Sequence, residues 1–426
     1  MSTSIILTIL IIFYAILIKN HNRGWAGIFL PSTLFLFMDL VLQTAFPIIF
    51  SDKPEHETLP ALELSFAGYL FFFITYFTLN LHLKENTHRN SISSTIESES
   101  YNKSIYTLAT IGQYIGSIII ILVFSAEGVI PALSDEPNNA RLFFGSERYF
   151  TLLKFPYWGG IQLVTICTLI QFIFKKSSHI GIWINLTLAC VILFLTTHRA
   201  PLLGLILGIV VYHYQTNPEK FNLLIGVIYG LTFTSAVFIG LYLRDGSGDM
   251  LPYIMHAISS GSSFVDILEL GDAIKLWDGD YLWGSTYLGS LISLIPGAAD
   301  TSFLRWKDWT KVLFGQDPEA GGMRLTSFGE PYFNFGLAGV WAKGIFMATI
   351  FYYWDMHIKA MHSNTSTFKQ RYIYLLYMPI GTLAINFYEI RFFFFQLIAL
   401  LIILISVKIS IHLKAPEQNS TTQATH

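Results

Sequence analysis

Ile105–Ser125 reads IYTLATIGQYIGSIIIILVFS, a run without a single charged residue. A helix rises about 1.5 Å per residue, so about 20 apolar residues cross a hydrocarbon core of about 30 Å. The apolar residues are continuous rather than alternating, which argues against a membrane β-strand. Only helices and closed barrels satisfy their backbone polar groups in lipid, so this run is read as a transmembrane helix.

Runs of the same kind recur on both sides of it. The predicted spans are Ser4–Ile18, Ile28–Phe50, Ala61–His82, Ile105–Ser125, Thr151–Phe174, His179–Thr197, Pro201–Tyr214, Phe221–Leu243, Gly336–Trp354, Tyr372–Phe387 and Phe392–Ile411. Pro201–Tyr214 is short for a span and must be tilted, partly buried or longer than drawn. The expected fold is therefore all-α, a polytopic bundle of about eleven helices with one large extracytoplasmic loop. Residues 1–243 hold the first eight helices, 244–335 the loop, 336–411 the last three helices and 412–426 a polar tail, expected to be disordered from Gln418 onward.

Composition agrees. Hydrophobic residues make up 53% of the 426, charged residues only 13%, and the mean hydropathy is +0.52. A soluble domain carries roughly 25% charged residues. The net charge of −2 excludes a general polycation for nucleic acid. Cys167 and Cys190 each sit inside an apolar run, and imply neither a disulfide framework nor a metal cluster. The first apolar segment lacks a basic leader and a small-residue cleavage site, so it is read as a retained helix.

Orientation follows from Lys and Arg in short loops and at helix ends. With the N-terminus outside, the cytoplasmic set is Lys19, Arg23, Lys84, Arg89, Lys103, Lys175, Lys176, Lys220, Lys359, Lys369, Arg371, Lys408 and Lys414. The short outside loops hold only Lys53, Arg141, Arg148, Arg199 and Arg391. The long segment from Arg244 to Phe335 then lies outside. It carries Trp277, Trp283, Trp306, Trp309, Tyr281 and Tyr287, whose aromatic character argues against disorder. Loops this long are usually functional when ordered. Within it, Tyr281–Ala298 is apolar enough to lie along the membrane surface or re-enter it. There is no solenoid repeat, and no matched pair of broken helices of the kind that points to a secondary transporter.

Two features carry chemistry. The first is arginine placement: Arg141, Arg148, Arg199, Arg244, Arg305, Arg324 and Arg391 all fall outside, against the positive-inside bias. Guanidinium forks bind phosphates bidentately, and Arg199, Arg244 and Arg391 sit at helix ends, at headgroup level. Snorkelling or pairing, as of Arg244 with Asp245 or Arg391 with Glu389, is the plainer alternative. The second is Gly321–Gly339, GGMRLTSFGEPYFNFGLAG, where Arg324, Ser327, Glu330, Tyr332 and Asn334 crowd the start of a span. Glu330 suits a general base for a sugar hydroxyl, or a favourable charge at a helix N-terminus. Tyr332 and Asn334 suit hydrogen bonds to sugar hydroxyls. Asp39, Glu63, Lys154 and Lys343 fall inside spans, where ionisable groups are functional candidates by default.

The Gly321–Gly339 segment resembles the stretch after the large periplasmic loop of bacterial polysaccharide repeat-unit polymerases, the Wzy family. Glu330, Asn334, Phe335, Gly336 and Gly339 match a loose Ser-x-x-x-Glu-x-x-x-Asn-Phe-Gly-x-x-Gly pattern; Thr326 holds the serine position. Thr196–Leu202, TTHRAPL, resembles a Thr-x-Ser-Arg-Gly turn of polymerases and O-antigen ligases, with Arg199 matching the arginine, His198 in place of Ser and Ala200 in place of Gly. The resemblance implies a glycosyltransferase of the bacterial inner membrane whose site faces the periplasm. Its substrate would be an oligosaccharide on undecaprenyl pyrophosphate, it would need no cofactor, and a chain-length regulator would be a possible partner. On that reading Glu330, Arg199 and Arg324 are catalytic, with His198 and His256 behind Glu330 as bases. Arg244, Arg391, Arg141, Tyr332, Asn334 and His198 bind substrate. An O-antigen ligase and a lipid-linked oligosaccharide flippase or transporter are the alternatives. Asp278-Gly-Asp280 spells an Asp-x-Asp pattern, but two aspartates around a glycine are more often a turn, so no metal is assigned.

Overall fold

The computed structural model describes residues 2–21, 27, 30–50, 53–83, 97–134, 140, 150–174, 180–217, 266–295, 303–316, 325–361, 368–387 and 390–422. Among them the secondary structure is helical, without a strand. The helices are α1 (Thr3–Asn20), α2 (Pro31–Leu36, continuing through a π-helical stretch Phe37–Ala45 into Phe46–Phe50), α3 (Glu55–Leu83), α4 (Glu97–Glu127), α5 (Phe150–Phe174), α6 (Ile180–Leu195), α7 (Arg199–Thr216), α8 (Asp266–Leu276), α9 (Ser285–Ile292), α10 (Trp306–Leu313), α11 (Thr326–Lys359), α12 (Phe368–Ile385) and α13 (Ile390–Thr422).

Six helices among the described residues are long and apolar enough to cross a bilayer: α1, α2, α3, α4, α5 and α11. Segments Ile180–Leu195, Pro201–Thr216 and Phe393–Ile409 are apolar but shorter. The predicted span Phe221–Leu243 lies outside the described residues. The short span at Pro201 is longer than its sequence reading, beginning at Arg199 and ending at Thr216. The segment expected to be one loop contains α8, α9, α10 and the first ten residues of α11. The helix of α13 runs to Thr422, past the point where a disordered tail was expected.

The chain divides into two compact units. The first comprises Met1–Arg89, Asn217–Lys359 and Ile380–Arg391; the second comprises Asn90–Thr216, Ala360–Pro379 and Phe392–His426. In lipid, helices associate through close packing and interhelical hydrogen bonds rather than through apolar burial. In the second unit a chain of amides does this. Gln113 Nε2 donates to the Asn185 carbonyl (2.6 Å), Gln171 Nε2 to Gln113 Oε1 (2.6 Å), and Asn185 Nδ2 to Gln171 Oε1 (2.7 Å), joining α4, α5 and α6.

In the first unit, α3 and α11 approach at Gly344. A Cβ there would collide with the Gly68 carbonyl and stand 3.2 Å from Phe71 Cβ. The same Gly68 lies against the ring of Phe328. Phe328 and Gly344 are 344 − 328 = 16 residues apart, about 24 Å along a straight helix. Both can meet Gly68 only if α11 folds back on itself. The reversal is at Gly336, whose φ of 63° and ψ of −153° interrupt the helix. Thus α11 is a helical hairpin: a return arm, residues 326–335, and a long arm, residues 337–359. The core of this unit packs Phe328 and Phe333 of the return arm with Trp306, Leu270, Tyr69 and Phe72.

Candidate functional site

The site grows out of that reversal. In an unbroken helix the carbonyls of Phe333 and Asn334 would accept from residues four further on. The break at Gly336 frees them, and the turn before α9 takes them: Leu282 N–H donates to the Phe333 carbonyl (2.9 Å) and Trp283 N–H to the Asn334 carbonyl (3.1 Å). Gly336 is required twice over. Its φ is positive, where only glycine is unstrained, and a Cβ would sit 2.9 Å from the Tyr281 hydroxyl.

Asn334 locks the same joint. Its Oδ1 accepts from Gly284 N–H (2.9 Å), and its Nδ2 donates to Thr286 Oγ1 (2.8 Å) and to the Glu330 carbonyl (2.8 Å). Both amide hydrogens are therefore committed to the protein. Because the Thr286 hydroxyl accepts from Asn334, its own hydrogen goes to Glu330 Oε1 at 3.0 Å. Glu330 is 6% exposed. The half-buried Lys343, on the long arm, interacts electrostatically with Glu330 and with Asp39. Asp39 is 2% exposed and accepts from Ser327 Oγ at 2.7 Å and from the Tyr69 hydroxyl at 2.8 Å. It sits in the π-helical stretch of α2, an irregularity that tends to mark functional positions. Pro47 follows closely; a proline ring in a helix collides with the preceding turn, which a widened turn accommodates. Two buried carboxylates thus lie within electrostatic reach of one half-buried lysine.

The residues singled out in the sequence fall into those the structure places and those outside the described residues. Glu330, Tyr332 and Asn334 share the return arm. Tyr332 is half-buried, its ring edge-on to Trp277 at 5.6 Å. Asn334, a candidate for sugar hydroxyls, holds the hairpin. Ser327 clasps Asp39, while the neighbouring hydroxyl, Thr326 Oγ1, accepts from Phe328 N–H at 3.3 Å. Of the charges read inside spans, Asp39 and Lys343 join the cluster and Glu63 faces outward, exposed.

Arg199 is the first residue of α7, after the turn in which Thr197 takes a positive φ of 57°. His198 packs its ring against Trp158 at 4.2 Å. Arg391 lies in the first turn of α13. Arg141, Arg148, Arg244, His256 and Arg324 lie outside the described residues. Arg305 forks onto Asp308, at 2.6 Å and 3.1 Å. Trp306 and Trp309 stack at 5.1 Å and pack on Phe333, so they serve the core. Asp278 and Asp280 close a turn, with Asp280 N–H donating to Asp278 Oδ1 at 3.1 Å. The described residues contain no cluster suited to a metal ion.

Sequence reasoning missed Thr286, Tyr69 and the partnership of Lys343 with both acids. A hint existed in Lys343 itself, since a lysine inside a span needs a counter-charge.

Fold and site together define a helical membrane protein with several membrane-length apolar helices, one of them a broken hairpin carrying the buried carboxylate of Glu330. Comparison with protein-family models, curated proteins and solved structures returns no match for this chain.

Proposed function

We propose that this chain is a glycosyltransferase that polymerises lipid-linked oligosaccharide repeat units. It moves the growing glycan from undecaprenyl pyrophosphate to the terminal sugar of an incoming unit, in the bacterial inner membrane with the site facing the periplasm. The observation that supports this best is the setting of Glu330. The glutamate of the polymerase-like motif is a buried carboxylate, oriented by Thr286 and Asn334 beside Lys343. That is the arrangement a general base requires: an acceptor fixed in geometry and shielded from water. As the acceptor oxygen bonds to the donor's anomeric carbon, its proton passes to Glu330. The bond from that carbon to the pyrophosphate breaks, and the lipid pyrophosphate leaves with the electron pair. Arg324, with Arg244 and Arg391, is the proposed stabiliser of the charge that develops there; Arg199 and Arg141 remain candidates from the sequence alone. His198 and Tyr332 remain candidates for substrate contact, and a chain-length regulator a candidate partner.

One observation favours a second reading. Asp39, Glu330 and Lys343 bring buried charge to a helix broken beside membrane spans, which also suits a flippase or ion-coupled transporter. A glycan gel of the native host with the gene deleted, beside a complemented strain, separates the readings. Loss of the ladder with one repeat unit still on its acceptor establishes a polymerase. Loss of every repeat points to a ligase or flippase, and an unchanged ladder ends the glycan reading.

A further inference from the structure

The turn that docks on the hairpin apex carries aromatic surface that the reaction above does not use. Trp277 Nε1 donates to the Asp280 carbonyl at 2.9 Å, and Asp280 N–H to Asp278 Oδ1, so Trp277–Asp280 closes on itself with both carboxylates exposed. Tyr281 and Trp283 follow, 40% and 76% exposed. Their rings meet edge to face at 5.9 Å, and Tyr281 lies 5.2 Å from Trp277. A face of three aromatic rings thus adjoins two carboxylates.

Trp283 is more than an exposed ring. Its φ is +46°, in the left-handed region that bulky residues rarely occupy. Such a conformation persists only where surrounding structure imposes it, and such outliers cluster at functional sites. Here the N–H of Trp283 and the N–H of Gly284 are both held by Asn334, the residue that also positions Thr286 against Glu330. The exposed ring is therefore built into the same joint as the buried carboxylate.

We propose that Tyr281 and Trp283, with Asp278 and Asp280, form a glycan-binding platform at the hairpin apex. The C–H faces of a sugar ring stack on the aromatic rings, and its hydroxyls donate to the carboxylates, which are acceptors only. The natural competitor for exposed tryptophan is the bilayer interface, where tryptophan and tyrosine gather. Two aspartates within a few residues of the rings oppose that, because insertion would desolvate their charge or set it against anionic headgroups. A hydroxyl-rich ligand satisfies both halves of the surface. The inference rests on the reading of the substrate as a glycan, and names where that glycan is held.

The test uses the full-length protein in nanodiscs and the host's own surface glycan, freed from lipid by mild acid and labelled at its reducing end. Wild type binds; Trp283→Ala weakens binding about tenfold; Trp283→Tyr, which keeps an aromatic face, stays within about threefold. Equal binding by Trp283→Ala and wild type overturns the platform, as does no binding by wild type. Loss of a wild-type fluorescence component to brominated lipid, absent in Trp283→Phe, places the ring in the bilayer and also overturns it. The two readings fail separately. A normal ladder in the deletion strain with Trp283-dependent binding removes the polymerase and keeps the platform. A lost ladder with Trp283-independent binding does the reverse.

Discussion

Asp355 and Glu330 are both buried carboxylates on α11, yet their surroundings differ in kind. Asp355 is fully buried and accepts from Ser32 N–H (3.2 Å), from the Ser32 hydroxyl and from the Tyr76 hydroxyl (2.6 Å). His21 Nε2 stands 3.9 Å away, and its other ring nitrogen, Nδ1, lies 2.8 Å from Lys359 Nζ. The donors come from α2 and α3, with His21 following α1, so one carboxylate ties three helical regions to the end of the long arm. Glu330 has one donor among the described residues, Thr286. Asp39 resembles Asp355, with a donor on each oxygen. A carboxylate whose lone pairs are filled by protein is a fastener, whereas one with lone pairs to spare beside a lysine can take a proton or a ligand. On the proposed function, the contrast gives Asp355 and Asp39 an architectural role and Glu330 a chemical one.

The largest effect expected from that contrast is at the fastener. Asp355→Ala leaves Tyr76 and Ser32 without this acceptor and removes the negative charge facing Lys359. Removing one member of a buried ionic group costs about 3–5 kcal/mol, against a total stability of about 5–15 kcal/mol. The protein is expected to disappear from membrane fractions on immunoblot, and normal accumulation would break the distinction. Glu330→Gln is expected to behave oppositely. It keeps the shape and the Thr286 bond but removes the basic lone pair. Protein level and melting temperature should match wild type, while polymer formation falls about 10²–10⁴-fold, the usual contribution of a general base. Normal chain lengths in Glu330→Gln would end its assignment as the base.

The two ends of α11 also differ in how legible they are in sequence. Lipid leaves the chain few choices, so apolar runs near Ile5 and Thr151 announce α1 and α5 within a few residues, while α4 starts eight residues before its run at Ile105. Gly336 reads correctly as a helix boundary in Asn-Phe-Gly. That the chain is also helical before it, and runs back along the long arm, is written nowhere in a 3.6-residue period, which carries no direction. Phe328 and Phe333 look like loop residues because the aromatic partners that bury them, Tyr69 and Trp306, are distant in sequence. Ser327 and Asp39 are 288 residues apart, and Thr286 and Glu330 are 44 apart. Such pairings leave no local pattern. Asp39 and Lys343 are visible as charges inside spans, but their common neighbourhood emerges only once the hairpin is folded.

The smallest effect expected is the sharpest test of the contrast, because it alters the orientation of Glu330 and not its charge. Thr286 accepts from Asn334 and donates to Glu330, so its hydroxyl aims the carboxylate while its methyl group packs. Thr286→Ser keeps the hydroxyl, and its polymerisation should stay close to wild type. Thr286→Val keeps the shape and removes both bonds. A hydrogen bond to a charged group is worth about 1.5–3 kcal/mol, so a loss of about 10- to 100-fold in polymerisation is expected, towards the low end of that for Glu330→Gln because the base itself survives. Radiolabelled repeat-unit incorporation in membranes, normalised to protein level, reads the difference. If valine and serine variants are equally active, Thr286 is only packing. If valine lowers the protein level instead of the rate, Glu330 is a fastener like Asp355, and the chemistry must be sought elsewhere in the first unit.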